Sequence, residues 1–173
     1  MSTLKPDLPL YVIADLHLGG GAAATETLFY SFLESLEPEA NSLLILGDLF
    51  EVWVGDDIQS SLARRVASRL SRLSQTGTEI FFVHGNRDFL IGDEFATSAG
   101  MTLLDEPIIV TNASPATGFV HGDRLCTADE KFQRFREKSR SPAWQRKMLS
   151  LPRFPRQWLG QFARWRSQRH GVA

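Results

Sequence analysis

Four short apolar segments in this 173-residue chain each run into residue types that hold metal ions. Residues 10–14 (LYVIA) lead to Asp15 and His17, and residues 43–46 (LLIL) lead to Gly47-Asp48. Residues 79–83 (EIFFV) lead, past His84, to Gly85-Asn86-Arg87-Asp88, and Phe119-Val120 leads to His121-Gly122-Asp123. Carboxylate, imidazole and amide oxygen without thiolate suit Mn²⁺, Fe²⁺, Zn²⁺ or Mg²⁺. A carboxylate set between two cations can bridge them, and Asp48 is the candidate because its strand is expected to be central. Two cations about 3.5–4 Å apart can activate water and clamp the oxygens of a phosphoryl centre. Glycines beside Asp48, Asn86 and His121 allow backbone to approach closely. Taken singly, each residue has a plainer use: Asp15 and Asp48 as turn caps, Asn86 as a turn residue, His17 and His121 as satisfied histidines. The signal is their recurrence at four successive strand ends.

These groups can meet only if the strands are neighbours. Ligands in open α/β sheets bind at the carboxyl ends of strands, so four strands of one sheet would bring the four segments to one rim. Asp15 and His17, two apart, would share a side of an extended segment. A helix capped by Thr25 and reaching about Leu36 is expected from the stripe Leu28, Phe29, Phe32, Leu33 and Leu36. Another spans about residues 59–74, with Leu62, Val66, Leu70 and Leu73 inside, Arg64, Arg65, Arg69 and Arg72 outside, and Gly77 as its stop. A short helix over residues 93–99 ends at Gly100, and residues 103–111 hold one or two strands. Strands alternating with helices predict an α/β fold with at least part of its sheet parallel.

Composition is that of a folded domain, 43% hydrophobic and 23% charged. The single cysteine, Cys126, permits no internal disulfide and reads as a packing residue. No apolar run nears the roughly 20 residues needed to cross a bilayer, and the first residues lack a secretion signal, so a cytoplasmic protein is expected. Charge is divided sharply. Residues 1–130 carry 7 Lys and Arg against 19 Asp and Glu, whereas residues 131–173 carry 12 against one. Strand signals stop near residue 127, which predicts a core over 1–126 and a helical, basic, aromatic cap over 127–173. In that tail Phe154, Trp158, Leu159, Phe162 and Trp165 share one helical face, flanked by Arg153, Arg156, Arg164, Arg166 and Arg169. A basic helix with an aromatic face suits an anionic membrane surface. It equally suits the lining of an acyl pocket, extended by Phe132, Phe135, Trp144, Met148 and Leu149, or a helix packed on the body with solvated arginines. Nucleic acid is not expected, because the acidic body repels a long polyanion.

The segments Asp15-Leu16-His17, GDLFE at 47–51, GNRD at 85–88 and HGD at 121–123 resemble the calcineurin-like metallophosphoesterases. The longer strings GDLFEVWVGDD at 47–57, HGNRDFLIG at 84–92 and HGDRLCT at 121–127 are similar, more narrowly, to the UDP-2,3-diacylglucosamine hydrolases of lipid A synthesis. This resemblance implies a four-layer αββα sandwich with a helical lipid-binding insertion, corresponding to residues 127 onward. It implies two Mn²⁺ ions, one held by Asp15, His17 and Asp48, the other by Asp48, Asn86 and His121. Asp48, Asn86, Arg87 and His121 would carry catalysis; Asn86, Arg87, Asp129 and Ser167 would bind substrate. The implied reaction is attack of metal-activated water on the α-phosphorus of UDP-2,3-diacylglucosamine, giving UMP and 2,3-diacylglucosamine 1-phosphate. The implied location is peripheral, on the cytoplasmic face of the inner membrane.

Many phosphoesterases of this fold place histidine after the asparagine, able to protonate a leaving alkoxide. Here that residue is Arg87. A phosphate leaving group, with a second pKa of about 6, departs without a proton, and arginine binds phosphate bidentately. The residue therefore suits phosphoanhydride cleavage; its plainer use is an ion pair with Asp88 or a nearby carboxylate. His84 is read as structural. The family's Gly-His-x-His segment is not found among the four histidines, His17, His84, His121 and His170, and Gly171 stands where a polar substrate contact is expected. A C-terminally truncated member, its sheet lacking strands, is the expectation. The alternatives are another phosphodiesterase or nucleotide hydrolase of this superfamily, or an inactive truncated product.

Overall fold

A computed structural model describes residues 1–36 and 42–170, with side chains to residue 165. The elements run β1 (Ser2–Leu4), β2 (Leu10–Ile13), α1 (Ala23–Leu36), β3 (Ser42–Leu46), α2 (Ser61–Gln75), β4 (Glu79–Val83), α3 (Asp93–Ala99), β5 (Met101–Leu104), β6 (Ile108–Val110) and β7 (Thr117–Phe119). After a 3₁₀ turn at Asp123–Leu125 come α4 (Glu130–Arg140), α5 (Pro142–Leu149) and α6 (Arg153–His170). No helix among the described residues is long and apolar enough to cross a membrane.

Strands β2-β3-β4-β5 form an all-parallel sheet, and β1-β6-β7 form a second sheet in which β7 is antiparallel to β6. Alternation within single strands shows how the two sheets stack. Leu43 and Ile45 of β3, with Ile80 and Phe82 of β4, join the core beneath α1, α2 and α3. Leu44 and Leu46, with Phe81 and Val83, pack instead against Ile108 and Val110 of the second sheet. Both faces of β3 are therefore covered, which is why its five residues are all buried and the four after Ser42 read as an unbroken apolar run. Helices, parallel sheet and second sheet make three layers of an αββα sandwich.

The α2 stripe buries Ala63, Val66, Ala67, Leu70 and Leu73, while Ser60 caps the helix by accepting from Ala63 N at 3.0 Å. Each fully buried leucine is worth roughly 1.5–3 kcal/mol in area removed from water. Gly77 and Gly100 stand at left-handed φ just beyond α2 and α3, as expected of helix stops. Thr25 does not cap α1. The helix begins earlier, at Ala23, where alanines propagate it readily, and Thr25 lies in its first turn.

One expectation fails outright. The four ligand-bearing segments do not leave one sheet: those after β2, β3 and β4 do, whereas His121 follows β7 of the second sheet. A strand of three residues such as β7, largely exposed, carries no mark of which sheet it joins. The crossing is made at Asp105-Glu106-Pro107, between β5 and β6. Cys126 is also misread, since it lies exposed on the surface.

Candidate metal centre

Register aligns the parallel strands so that Ile13 pairs with Ile45 and Leu46 with Val83, which brings the loops after β2, β3 and β4 to one end of the sheet. The first two loops are zipped together by their backbones. Asp15 N donates to Gly47 O at 3.1 Å, His17 N to Asp48 O at 2.9 Å, and Leu18 N to Leu49 O at 2.9 Å. Asp15 and His17 share a side, but not through extended backbone. Both adopt left-handed φ, 55° and 48°, as does Asp48 at 52°. Non-glycine residues rarely occupy this region, and three such residues in one cluster mark a site where side-chain placement overrides backbone preference.

Ligand atoms of Asp15, His17 and Asp48 lie within 4.8 Å of one another. His17 Nε2 is 3.9 Å from Asp15 Oδ1 and 3.8 Å from Asp48 Oδ2. On the other side of Asp48, His121 Nε2 is 3.7 Å from Oδ1. These gaps are too long for hydrogen bonds, yet within the span of two ligand atoms sharing one cation, about 4 Å at most for bonds near 2.0–2.2 Å. His121 Nδ1 is 2.8 Å from Leu46 O. A carbonyl only accepts, so Nδ1 carries a proton and Nε2 is the ring atom turned toward the carboxylate. Ligand atoms gathered around a buried carboxylate are what a divalent cation satisfies, so the donors fit the ions. Asp48 touches both clusters, as a bridging carboxylate must.

Asp48 is 2% exposed, and burial pushes its pKa up. The Arg87 amide, donating to Oδ1 at 2.9 Å, and the two imidazoles oppose that rise. Beneath it, the fully buried Asp88 carboxylate accepts from Leu49 N at 2.7 Å, Gly85 N at 2.9 Å and Asp48 N at 3.3 Å, tying the β3 loop to the β4 loop. Burial, then repulsion from Asp48, push Asp88 up to about 7. Asp15 is on the open side of the cluster, and Asn86, also exposed, lies between Gly85 and Arg87 on the loop after β4. Arg87 Nη1 lies 3.5 Å from Glu51 Oε1, so its carboxylate neighbour is Glu51, while Asp88 faces backbone. Gly85 permits the crowding. A Cβ there would stand 2.1 Å from Asp48 Oδ1 and 2.3 Å from Asp48 N. Gly85→Ala is expected to cost about 1–3 kcal/mol, the usual penalty for overpacking, and to weaken metal uptake by displacing Asp48. Thermal melts and metal titration of the variant check both effects.

Other expected site residues are placed differently. Asp129 caps α4, accepting from Phe132 N at 2.9 Å. The Ser167 side chain, those of Arg166, Arg169 and His170, and residue Gly171 lie outside the described residues. His84 has the structural use expected of it, with Nε2 2.7 Å from Ile91 O, and burial lowers its pKa. Two anchoring groups escaped the sequence reading. Glu106 accepts from His121 N at 2.6 Å and from Arg136 Nη2 at 2.9 Å, and Arg140 Nη2 donates to Gly85 O at 2.8 Å. Asp123 Oδ2 lies 2.8 Å from Arg136 Nε. Helix α4 thus grips the loops carrying His121 and Asn86. Further along, the buried Arg156 of α6 pairs with Asp57 and donates to Val54 O at 2.7 Å. Among the arginines flanking the aromatic stripe, Arg156 and Arg164 hold α6 to the body. The aromatic face points outward, with Phe154 78% and Trp158 59% exposed. Trp158 stacks on Phe162 at 5.6 Å.

Comparison with known proteins fits this geometry. A curated UDP-2,3-diacylglucosamine hydrolase from Chromohalobacter salexigens is 46% identical over 141 residues, covering 82% of this chain and 57% of the relative. One of the same name from Hahella chejuensis is 46% identical over 150 residues, 87% of this chain and 62% of the relative. Another from Xanthomonas campestris is 43% identical over 152 residues, 88% and 62% respectively. The chain thus spans about three fifths of the length of these relatives. The profile of the calcineurin-like phosphoesterases matches residues 8–166, nearly the whole chain, and the chain belongs to that family.

Proposed function

We propose that this chain carries the nucleotide-sugar end of a hydrolase that splits the phosphoanhydride of UDP-2,3-diacylglucosamine into UMP and 2,3-diacylglucosamine 1-phosphate. The relatives named for that activity support the substrate. The observation that carries the reaction type is Arg87. It occupies the position beside Asn86 where an alkyl-ester enzyme needs an acid, and its amide is fixed on Asp48. Arg87 binds and orients the substrate phosphates through its planar fork, and the departing phosphate needs no proton from it. Asp15, His17 and Asp48 would hold one divalent cation and Asp48, Asn86 and His121 a second, with manganese the expected metal. Bound there, the ions would activate water and screen the charge that develops at phosphorus. The chain's own groups set the geometry. His121 is held by Leu46 O and Glu106, and Asp48 by the Arg87 amide, so the donors are in place before substrate arrives.

Asp129 and Ser167 are proposed to complete the substrate contacts. The aromatic, arginine-flanked face of α6 is proposed to rest on the anionic cytoplasmic face of the inner membrane, where a diacylated substrate is presented. Purified chain supplied with Mn²⁺, alone and fused to the C-terminal third of the Hahella relative, is expected to release UMP from the acylated substrate and far less from a deacylated UDP-sugar. Equal rates on the two substrates would exclude the lipid specificity. No release in either form would remove the hydrolase reading.

A further inference from the structure

We propose that Glu51 is a positioning residue that couples the metal grip of His17 to the seating of helix α6. This rests on the metal-binding reading above and adds to it a link between the cap and the centre.

Glu51 is 8% exposed, yet its carboxylate meets three groups from three parts of the chain. Oε2 lies 3.2 Å from His17 Nδ1. Oε1 lies 3.5 Å from Arg87 Nη1 and 3.4 Å from Arg164 Nε on α6. His17 Nδ1 is shielded from solvent and makes no aligned hydrogen bond among the described residues, so the Glu51 carboxylate is the anion it faces rather than an already aligned acceptor. A carboxylate only accepts, so the small ring turn that aligns this 3.2 Å contact would place the proton on Nδ1 and leave Nε2 bare toward Asp15 and Asp48.

The same carboxylate gives Arg164 an anionic partner, while Arg164 Nη2 donates to Gly20 O at 2.9 Å. Gly20 N in turn donates to His17 O at 3.0 Å. Arg164 therefore closes a ring through Glu51, His17 and Gly20. Withdrawing α6 would free Glu51 to swing toward Arg87 and away from the imidazole. Metal binding locks His17 and with it the carboxylate that α6 needs. Such coupling is reciprocal: whatever α6 contributes to metal affinity, metal contributes to the seating of α6.

The test uses the full chain and Co²⁺ as probe, read by its visible absorption and by calorimetric titration. Glu51→Leu is expected to lower Co²⁺ affinity about 10–100-fold, the usual loss when a supporting carboxylate is removed, and to alter the absorption bands. Glu51→Gln, whose amide oxygen still accepts from Nδ1, should recover most of that affinity. Co²⁺ should slow amide exchange in α6 at least fivefold in the unaltered chain and not in Glu51→Leu. Arg164→Met should lose that slowing while keeping the absorption bands. Unchanged affinity in a folded Glu51→Leu chain, or α6 exchange indifferent to Co²⁺ in the unaltered chain, would overturn the coupling and leave the metal centre standing. Failure of the unaltered chain to take up Co²⁺ would overturn both.

Discussion

Asp48→Asn is expected to abolish divalent-metal uptake, with affinity falling more than 100-fold, and to raise the melting temperature of the metal-free chain. The two effects come from one cause. Asp48 sits 2% exposed between two imidazoles, and burial makes its ionised form costly. Without cations its charge is opposed by the Arg87 amide and the two imidazoles. Asparagine keeps the shape and the acceptor for that amide, and it removes the charge. Relief of desolvation should lift the melting point by about 2–4 °C for each kcal/mol recovered in a chain of this size. Metal affinity falls because a neutral amide oxygen cannot bridge two cations as a carboxylate does. The checks are a thermal melt without metal and a titration with Mn²⁺ or Co²⁺. A variant that melts lower, or that still takes up two ions, would show that Asp48 is a structural residue. Stability sacrificed at one buried carboxylate is the expected mark of a functional site.

That cluster was legible because its parts are chemically unusual and each terminates a run of apolar residues. Strands β3 and β4 announced themselves as LLIL and EIFFV, and Gly77 and Gly100 marked helix ends through a backbone conformation that favours glycine. Sheet membership was not legible. The short strand before His121 looks like its neighbours, and only tertiary pairing with β6 places it in the second sheet. Nor could residue spacing foretell that Asp15 and His17 converge through left-handed backbone. The supporting acids were invisible for a different reason. Glu51, Asp88 and Glu106 look like ordinary charged residues in sequence, and their roles come from what they face: an imidazole and two guanidinium groups, backbone amides, and His121 N with Arg136. Periodicity placed Arg156 and Arg164 at the border of an aromatic face but could not say that this border, rather than the face, meets the body.

Arg156→Met is expected to unseat α6 while the parallel sheet stays folded. Arg156 is 3% exposed and uses most of its donors: Nε to Leu151 O at 3.0 Å, Nη1 to Val54 O at 2.7 Å and Asp57 Oδ1 at 2.8 Å, and Nη2 to Asp57 Oδ2. The fit demands Gly55, since a Cβ there would stand 2.3 Å from Nη1, and Gly160 lets α6 lie against Val52 and Val54. Methionine replaces the apolar stem but leaves Val54 O and Asp57 without their donor. Losing these charge-assisted hydrogen bonds costs roughly 1.5–3 kcal/mol, with the aspartate's share discounted because its side chain is 39% exposed and water takes over part of the loss. Local opening of α6 should rise about 10–100-fold at 1.4 kcal/mol per decade. Amide exchange and tryptic cleavage within α6 would report it, with exchange in β3 and β4 unchanged. Acid should do the same to the unaltered chain. The Arg156 guanidinium holds the Asp57 carboxyl below its usual range. The pair therefore contributes in full above the ordinary aspartate value near 4 and is lost as pH falls through the lowered one. Asp57→Asn should leave α6 loosely held at neutral pH and insensitive to that acid transition. A helix equally protected in Arg156→Met and in the unaltered chain would mean that α6 is held by its apolar contacts, and that the guanidinium is a passenger.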